Sequence, residues 1–505
     1  MTLSILLPAR DLMWAAVAIP WLGVVLGSVW RRHARLLGCI TTAMAGLACG
    51  LLLWQSPKGG SLYDTLALLY TCLSFAALVV LPRRDCTWSN ISGILFLLGC
   101  TLLAYWTNNL LILVAAWMLS SVPFMAVAWL GSRSWRPRAG LLISSLCLAV
   151  ALAWIWVRDR TLAISALQGH AFAGAIVFWL FVLAVIFRKA MVPGHAWIPD
   201  MAETTSAIPA SLLLNEHFGA LLIIKLLVPL DPHAGARFPI FADFALWAAL
   251  YFALRALSEN SPRRLLALLT ISQSACILSG LESGTAAGIS GALAQWIVVS
   301  VTTVGLFAIL RLLEVRFGGH FTVHRHYGLA EHSPRLAVFF AIFALAFIGL
   351  PGTLGFCSQD LLIHGALQSH PWIGLLLPIT AAMNAISMFR LFTRLFLGKR
   401  RTGITVMADA LPCERWALTA GVLFVVLGGL FPNAILMQPS AGLSGKLSPR
   451  IRIVKRPEGK NKFRLKAPSA SPVLGRPAQK FRSQDLTRGE TSSPNQMINA
   501  DKSRA

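Results

Sequence analysis

Charge is what this sequence has least of: only 13% of its 505 residues are Asp, Glu, Lys or Arg. Ordinary soluble domains carry about 25%, so a large solvated surface is excluded. The nine cysteines form no CxxC pair and no zinc spacing; a disulfide framework and an iron–sulfur site are not indicated, and the plainer role is that of small apolar helix residues. Nothing matches a phosphate-binding Walker loop, a dinucleotide-binding glycine fingerprint, haem ligation or a nucleophile triad. The chain therefore offers no redox or nucleotide site of its own, and no cofactor is expected. One histidine-bearing stretch, "HFTVHRHYGLAEH" with His320, His324, His326 and His332, has neither cysteine nor paired carboxylates beside it. It reads as a solvated loop, with no metal expected.

What is abundant is apolar sequence: 56% of residues are hydrophobic. Runs long enough to cross about 30 Å of hydrocarbon as helices recur at 11–30, 36–55, 62–82, 90–106, 108–130, 139–157, 170–190, 207–230, 239–257, 264–281, 285–312, 334–366, 371–397 and 416–437. The expected fold is all-α, a polytopic membrane bundle of about fourteen transmembrane helices. No small-residue cleavage site lies between the first span and the basic cluster Arg31, Arg32 and Arg35, so that span is expected to be retained. Basic residues crowd alternate loops: Arg31 to Arg35, Arg83 and Arg84, Arg133 to Arg138, Arg263 and Arg264, Arg311 to Arg325, and Lys399 to Arg401. The positive-inside rule puts these in the cytoplasm and the N-terminus outside.

Two regions are expected, a membrane domain at 1–437 and a tail at 438–505. The tail holds 15 Lys or Arg against 4 Asp or Glu and is rich in Ser and Pro, a composition that does not fold alone. Lipid headgroups or an acidic partner suit it. Its only aromatics are Phe463 and Phe481, which make no base-stacking pattern, so nucleic acid is not an expected partner. Fourteen spans would leave this basic tail outside, in tension with its charge.

Ionisable residues within apolar spans are costly and point to hydrated paths. They concentrate in "FRKAMVPGHAWIPDMAETTS", residues 187–206, where Lys189 is followed by Pro193, His195, Pro199, Asp200 and Glu203. Both prolines are expected to break the helix, leaving Lys189 beside water or a cavity, and Glu216, His217 and Lys225 follow in the next span. The plainer reading makes Arg188 and Lys189 a cytoplasmic end cluster with Asp200 and Glu203 as capping loop residues. A second break is expected at "IGLPGTLGFCSQDLLIHG", residues 348–365. There Pro351 and Gly352 open the helix ahead of Gln359, Asp360 and His364; a lone kink with Asp360 as a cap is the plainer alternative. Gly280, Gly284 and Gly288 at four-residue spacing read as packing or turn positions.

"KAMVPGHAWIPD" (189–200) resembles the lysine-bearing broken helix of the antiporter-like membrane subunits of respiratory complex I, relatives of Mrp-type cation/proton antiporters and of energy-converting hydrogenase subunits. "SPRRLLALLTISQSACIL" (261–278), "GLPGTLGFCSQDLL" (349–362) and "NNLLILVAAWMLSS" (108–121) are similar to further motifs of that family, in the same order. The resemblance implies inverted repeats, a multi-pass location in the cell inner membrane and neighbouring membrane subunits with a peripheral catalytic subunit. It further implies a non-catalytic role inside an NADH dehydrogenase-like oxidoreductase complex. It implies a proton path as well, here through Lys189, His195, Glu216, His217, Lys225, Asp360 and His364. Family positions that are charged or basic elsewhere fall on Met118, Leu212, Gln295, Val299, Thr303 and Gln359. In this respect the chain looks closer to divergent members, such as the membrane partner in inorganic-carbon accumulation complexes and orphan complex I-like subunits. Its expected function is proton conduction within such a complex; the alternative is a non-conducting membrane anchor.

Overall fold

The computed structural model describes residues 8–56, 61–125, 135–167, 174–227, 234–369, 371–398 and 408–432. The tail from 438 onward lies outside the described residues. Among those described, the structure is helical, with a single isolated bridge between Asn109 and Ala163 in place of any strand.

The helices run in chain order as α1 (Ala9–Val29), α2 (Ala34–Gln55), α3 (Leu62–Val80), α4 (Trp88–Trp106), α5 (Leu110–Met125) and α6 (Arg136–Asp159). Then come α7 (Gly174–Arg188), α8 (Trp197–Thr204), α9 (Ala207–Asn215) and α10 (Phe218–Leu222), the last running into a π-helical turn at Ile223–Leu227. The second half holds α11 (Ala234–Leu257), α12 (Pro262–Glu282), α13 (Ala286–Phe317), α14 (Pro334–Phe347), α15 (Leu354–Ser369), α16 (Leu376–Phe396) and α17 (Pro412–Leu430). Eleven segments are long and apolar enough to cross a membrane, and three shorter apolar helices, at Leu110–Met125, Ala175–Arg188 and Pro334–Phe347, supply the others. Each of the fourteen expected spans thus has its helix or broken helix.

The core follows from which helices lack a polar face. The segment Ala207–Leu227 and α12 are buried all round, and α13 nearly so, as expected of helices with no solvent or lipid stripe. With 32 residues, α13 is about 48 Å long at 1.5 Å per residue. It forms the spine against which α9, α12, α14 and α15 pack. The closest approach is made by glycines. A Cβ on Gly365 of α15 would lie 2.3 Å from the Gly288 Cα of α13, so Gly365 does not tolerate a side chain without the helices parting.

One end of the bundle gathers the basic residues that the alternation of loops assigns to the cytoplasm. There Arg311 pairs with Asp85 at 2.6 Å, Arg316 with Glu414 at 2.5 Å, and Arg263 with Glu314. These pairs tie α12, α13, α17 and the α3–α4 connection at one face.

The breaks differ from expectation in two places. Pro199 does not interrupt a helix: it is the third residue of α8, in the first turn, where no amide hydrogen is required of it. The span expected as one helix at 207–230 is instead broken at Glu216 and His217, with His217 in the left-handed region at φ 47°. The break at 348–353 is present between α14 and α15, with Gly349 and Gly352 at φ 81° and 89°.

Because the α13–α15 contact has no spare volume, Gly365→Ala should lower the melting temperature of the detergent-solubilised protein, by a destabilisation of about 1–3 kcal/mol. Gly50→Ala, where an added Cβ meets nothing within 4 Å, should leave it unchanged or raise it.

Candidate functional site

The first break begins where α7 ends at Arg188. The carbonyl of Phe187 loses its i+4 amide there, keeps the Ala190 amide at 3.3 Å and accepts from the Trp197 indole nitrogen at 2.7 Å, which fastens the start of α8 back onto the end of α7. Gly194 fits beneath Phe187, whose ring would lie 2.7 Å from an added Cβ. The effect is to end a helix within the bundle with two cationic residues at its last turn, Arg188 and Lys189, only 3% and 5% exposed.

The second discontinuity, at Glu216 and His217, faces them. Arg188 donates through Nε to Glu216 Oε1 at 2.7 Å, and a second guanidinium nitrogen reaches the same oxygen. It also donates to Ser120 Oγ at 2.6 Å and to Ser121 Oγ. The guanidinium also lies 5.4 Å from the Trp117 ring and 5.8 Å from Phe218, positions that favour a desolvated cation. Lys189 does not contact Glu216. Its Nζ donates to the Leu214 carbonyl at 2.9 Å, freed by the break between α9 and α10, and lies 3.1 Å from His217 Nδ1. When Lys189 donates to Nδ1, the imidazole is neutral with its hydrogen on Nε2. That Nε2, like Glu216 Oε2, has no hydrogen-bond partner among the described residues, and the ring rests 5.3 Å from Trp296.

Four consecutive or facing residues thus form one buried group: an ion pair, Arg188–Glu216, beside a donor–acceptor pair, Lys189–His217. The carboxylate is held by the arginine, so the lysine proton is held by dipoles: one carbonyl and one ring nitrogen. A lysine with an acceptor at 3.1 Å is a proton-exchanging unit in geometry.

The other expected path residues stand elsewhere. Lys225, in the π turn, donates to the carbonyls of Ala104, Tyr105 and Thr107 at 2.8, 2.6 and 3.0 Å and sits 4.7 Å from the Tyr63 ring. All three ammonium hydrogens are therefore engaged in capping the C-terminal end of α4, where a cation is favoured by the helix dipole. His195 stays beside its own break, with Nδ1 3.3 Å from the Pro193 carbonyl and its ring edge-on to Tyr251. Pro351 and Gly352 lie within the 348–353 break. Asp360 and His364 form an i, i+4 pair on α15, more than half exposed and outside the buried group. Asp200 bonds Arg264 at 2.8 Å and Glu203 reaches the same arginine at 3.2 Å, an ion cluster at the arginine-rich face. Beside it open two cavities of about 450 and 560 Å³ that share Glu203, Arg263, Glu314 and His320.

The positions matched to charged family residues are neutral or turned away. Met118 is 40% exposed, and α5 presents Trp117, Ser120 and Ser121 to Arg188 instead. In the second half, Gln295 Nε2 donates to Gln273 Oε1 at 2.5 Å, and Ser358 Oγ donates to Gln295 Oε1. Thr303 pairs with Thr270 at 3.5 Å. Gln359 Nε2 donates to the Phe347 carbonyl at 3.4 Å, which the second break frees. A cavity of about 20 Å³ lined by Gln273, Gln359 and Asn384 has room for about one water. Val299 and Leu212 are buried and apolar.

Sequence reasoning missed Arg188, Ser120 and Ser121, and the Gln273–Gln295–Ser358 chain. For Arg188 a signal existed, since Lys189 and Arg188 together need more anionic charge at membrane depth than a loop supplies.

Removing Arg188 would strand Glu216 as an unpaired buried charge. Arg188→Ala should destabilise the protein by about 3–5 kcal/mol, whereas Arg188→Leu with Glu216→Leu should cost much less or nothing. Denaturant unfolding of the purified protein in detergent, read as a double-mutant cycle, measures the difference.

The family described as "NADH:quinone oxidoreductase/Mrp antiporter, TM" matches residues 107–384. The chain is 30% identical over 271 residues to NADH-quinone oxidoreductase subunit M of Rickettsia prowazekii, a match covering 52% of this chain and 55% of that one. It is 27% identical to NADH-quinone oxidoreductase subunit 13 of Thermus thermophilus, over 66% of this chain and 74% of that one. The chain spans about half the length of the first of these relatives. In fold it superposes on a chain of respiratory complex I from Thermus thermophilus with TM-score 0.76, at 24% identity, covering 86% of this chain and 99% of that one. A chain of the Mrp complex from a Dietzia species gives TM-score 0.76 at 17% identity, covering 90% and 99%. The chain belongs to the NADH:quinone oxidoreductase/Mrp antiporter transmembrane family, and it is a multi-pass membrane protein.

Proposed function

We propose that this chain is a proton-conducting membrane subunit of a complex I-like assembly in the bacterial inner membrane. The observation that carries the reading is the buried group at the facing breaks, where Lys189 Nζ lies 3.1 Å from His217 Nδ1 and 2.9 Å from the Leu214 carbonyl. A stable bundle gains nothing from a lysine there that an apolar residue would not supply more cheaply. The relatives named above are subunits of NADH-quinone oxidoreductase, which supports partners of the same kind: further membrane subunits and a peripheral catalytic subunit. The chemistry of electron transfer then belongs to those partners, and this chain contributes the passage of protons.

The second reading, a non-conducting anchor, has one observation in its favour. The Gln273–Gln295–Ser358 chain and the Thr270–Thr303 contact put neutral side chains where the resemblance implies basic ones.

The two readings separate in proteoliposomes carrying the full chain under an imposed pH gradient. Conduction predicts that wild type dissipates the gradient and that Lys189→Ala slows it roughly a hundredfold, the lower end of what one positioned proton-transfer group contributes. Equal dissipation by the two proteins rejects the role given to Lys189, and a wild type that does not dissipate the gradient supports the anchor reading.

A further inference from the structure

We propose that Glu282 is a proton-binding carboxylate that exchanges with the aqueous phase on the side of the membrane opposite the arginine-rich face. In respect of conduction this rests on the reading above and adds to it a terminus for the outer half of the path.

Glu282 is the last residue of α12, whose opposite end carries Arg263 and Arg264 in the ion clusters of the arginine-rich face. The 21 residues of α12 separate the two ends by about 30 Å, a full crossing of hydrocarbon. Glu282 is only 4% exposed, and neither carboxylate oxygen has a hydrogen-bond partner among the described residues. Every arginine-rich-face carboxylate described above, by contrast, has an arginine partner.

Three structural roles fail for it. It forms no ion pair among the described residues. It does not cap its helix favourably, because a carboxylate at a C-terminal end meets the negative pole of the helix dipole. It does not improve packing over an apolar residue of similar size, since an unpartnered buried carboxyl carries a desolvation cost. The elements packed against α12 bring charged groups in their outer halves: Asp243 of α11, Lys225 of the turn after α10, and Asp360 and His364 of α15. None reaches hydrogen-bonding distance of Glu282, and Lys225 is committed to the end of α4.

Such a group is tolerated most cheaply in the neutral, protonated form, and water is close by. Gly284, two residues on, is exposed and turns the chain at φ 67°, and Thr285 then starts α13 by accepting from the Gly288 amide at 3.0 Å. A buried carboxyl two residues from an exposed turn has a short route for its proton to and from bulk water.

The test uses the full-length protein in proteoliposomes of known orientation and a hydrophobic carbodiimide, which attacks protonated buried carboxyls, with the adduct at Glu282 quantified by peptide mass spectrometry. Labelling at Glu282 should fall as pH is raised on the α12 C-terminal side and should not respond to pH on the arginine-rich side. In the flux assay, Glu282→Gln should slow proton movement roughly tenfold or more, with Glu282→Asp retaining most of it.

Labelling that ignores pH on both sides, or follows only the arginine-rich side, overturns the proposal. So does protection of Glu282 by sodium at constant pH, which would make it a cation ligand. If Lys189→Ala leaves flux unchanged while Glu282 labelling stays sided, the conduction path through Lys189 fails and the exchange site at Glu282 survives. Unaltered flux in Glu282→Gln alongside a blocked Lys189→Ala places Glu282 off the path and overturns its role as the terminus.

Discussion

The arrangement rests on the cost of burying Arg188 and Glu216 together at membrane depth. Two charges removed from water are stable only when they meet and every remaining donor finds a partner. Here that demand recruits Ser120 and Ser121 from α5, the rings of Trp117 and Phe218, and Glu216 at the helix break before His217. The pair also engages the carboxylate beside Lys189, leaving the lysine with a carbonyl and a ring nitrogen. The chemistry available to Lys189 is thus a by-product of how Arg188 is satisfied.

The same logic runs through each break. Wherever a helix stops inside the bundle, a carbonyl loses its amide, and hydrocarbon offers no water to replace it. The Phe187 carbonyl takes Trp197, the Leu214 carbonyl takes Lys189, and the Phe347 carbonyl takes Gln359. At the end of α4 three carbonyls take Lys225. Lysine in this fold therefore has two separable uses. At α4 its three hydrogens are saturated by backbone oxygens and the side chain is a cap. At the α7 break one hydrogen is aimed at a group that can itself carry a proton.

The helical count and order were legible because hydrocarbon imposes a length on every crossing, and the basic loops alternate with it. Lys189 and His217 were legible as costly residues at membrane depth. What escaped was whatever depends on direction around a helix. Arg188 read at most as part of a cytoplasmic end cluster, yet its side chain turns inward to α5. Met118 read as a missing member of the path, but α5 turns it outward and offers two serines instead. Asp360 and His364 looked equivalent to the buried residues, since proline and glycine precede both sets, but α15 turns that pair outward. Pro199 carried the same breaking signal as Pro193 and falls harmlessly in a first turn. The break at Glu216 and His217 has no glycine or proline of its own; tertiary contacts with Arg188 and Lys189 hold it.

The two halves of the bundle differ in what they offer a proton. In the first half, Arg188, Lys189, Glu216 and His217 form one buried group in which Lys189 Nζ and His217 Nδ1 lie in contact. In the second, Ser358 donates to Gln295 and Gln295 donates to Gln273, a chain of neutral groups in which Gln295 is both donor and acceptor. Amide nitrogens do not take up a proton near neutral pH, so this chain holds geometry and does not relay charge. A proton crossing the second half has to ride on water, and beside Gln273 there is a cavity the size of about one molecule. On the proposed conduction, passage is limited by hydration of a narrow neutral region rather than by a row of basic side chains. A carboxylate at the far end of α12 is the kind of group such a path requires, because water that brings a proton through a neutral region needs an acceptor where it emerges.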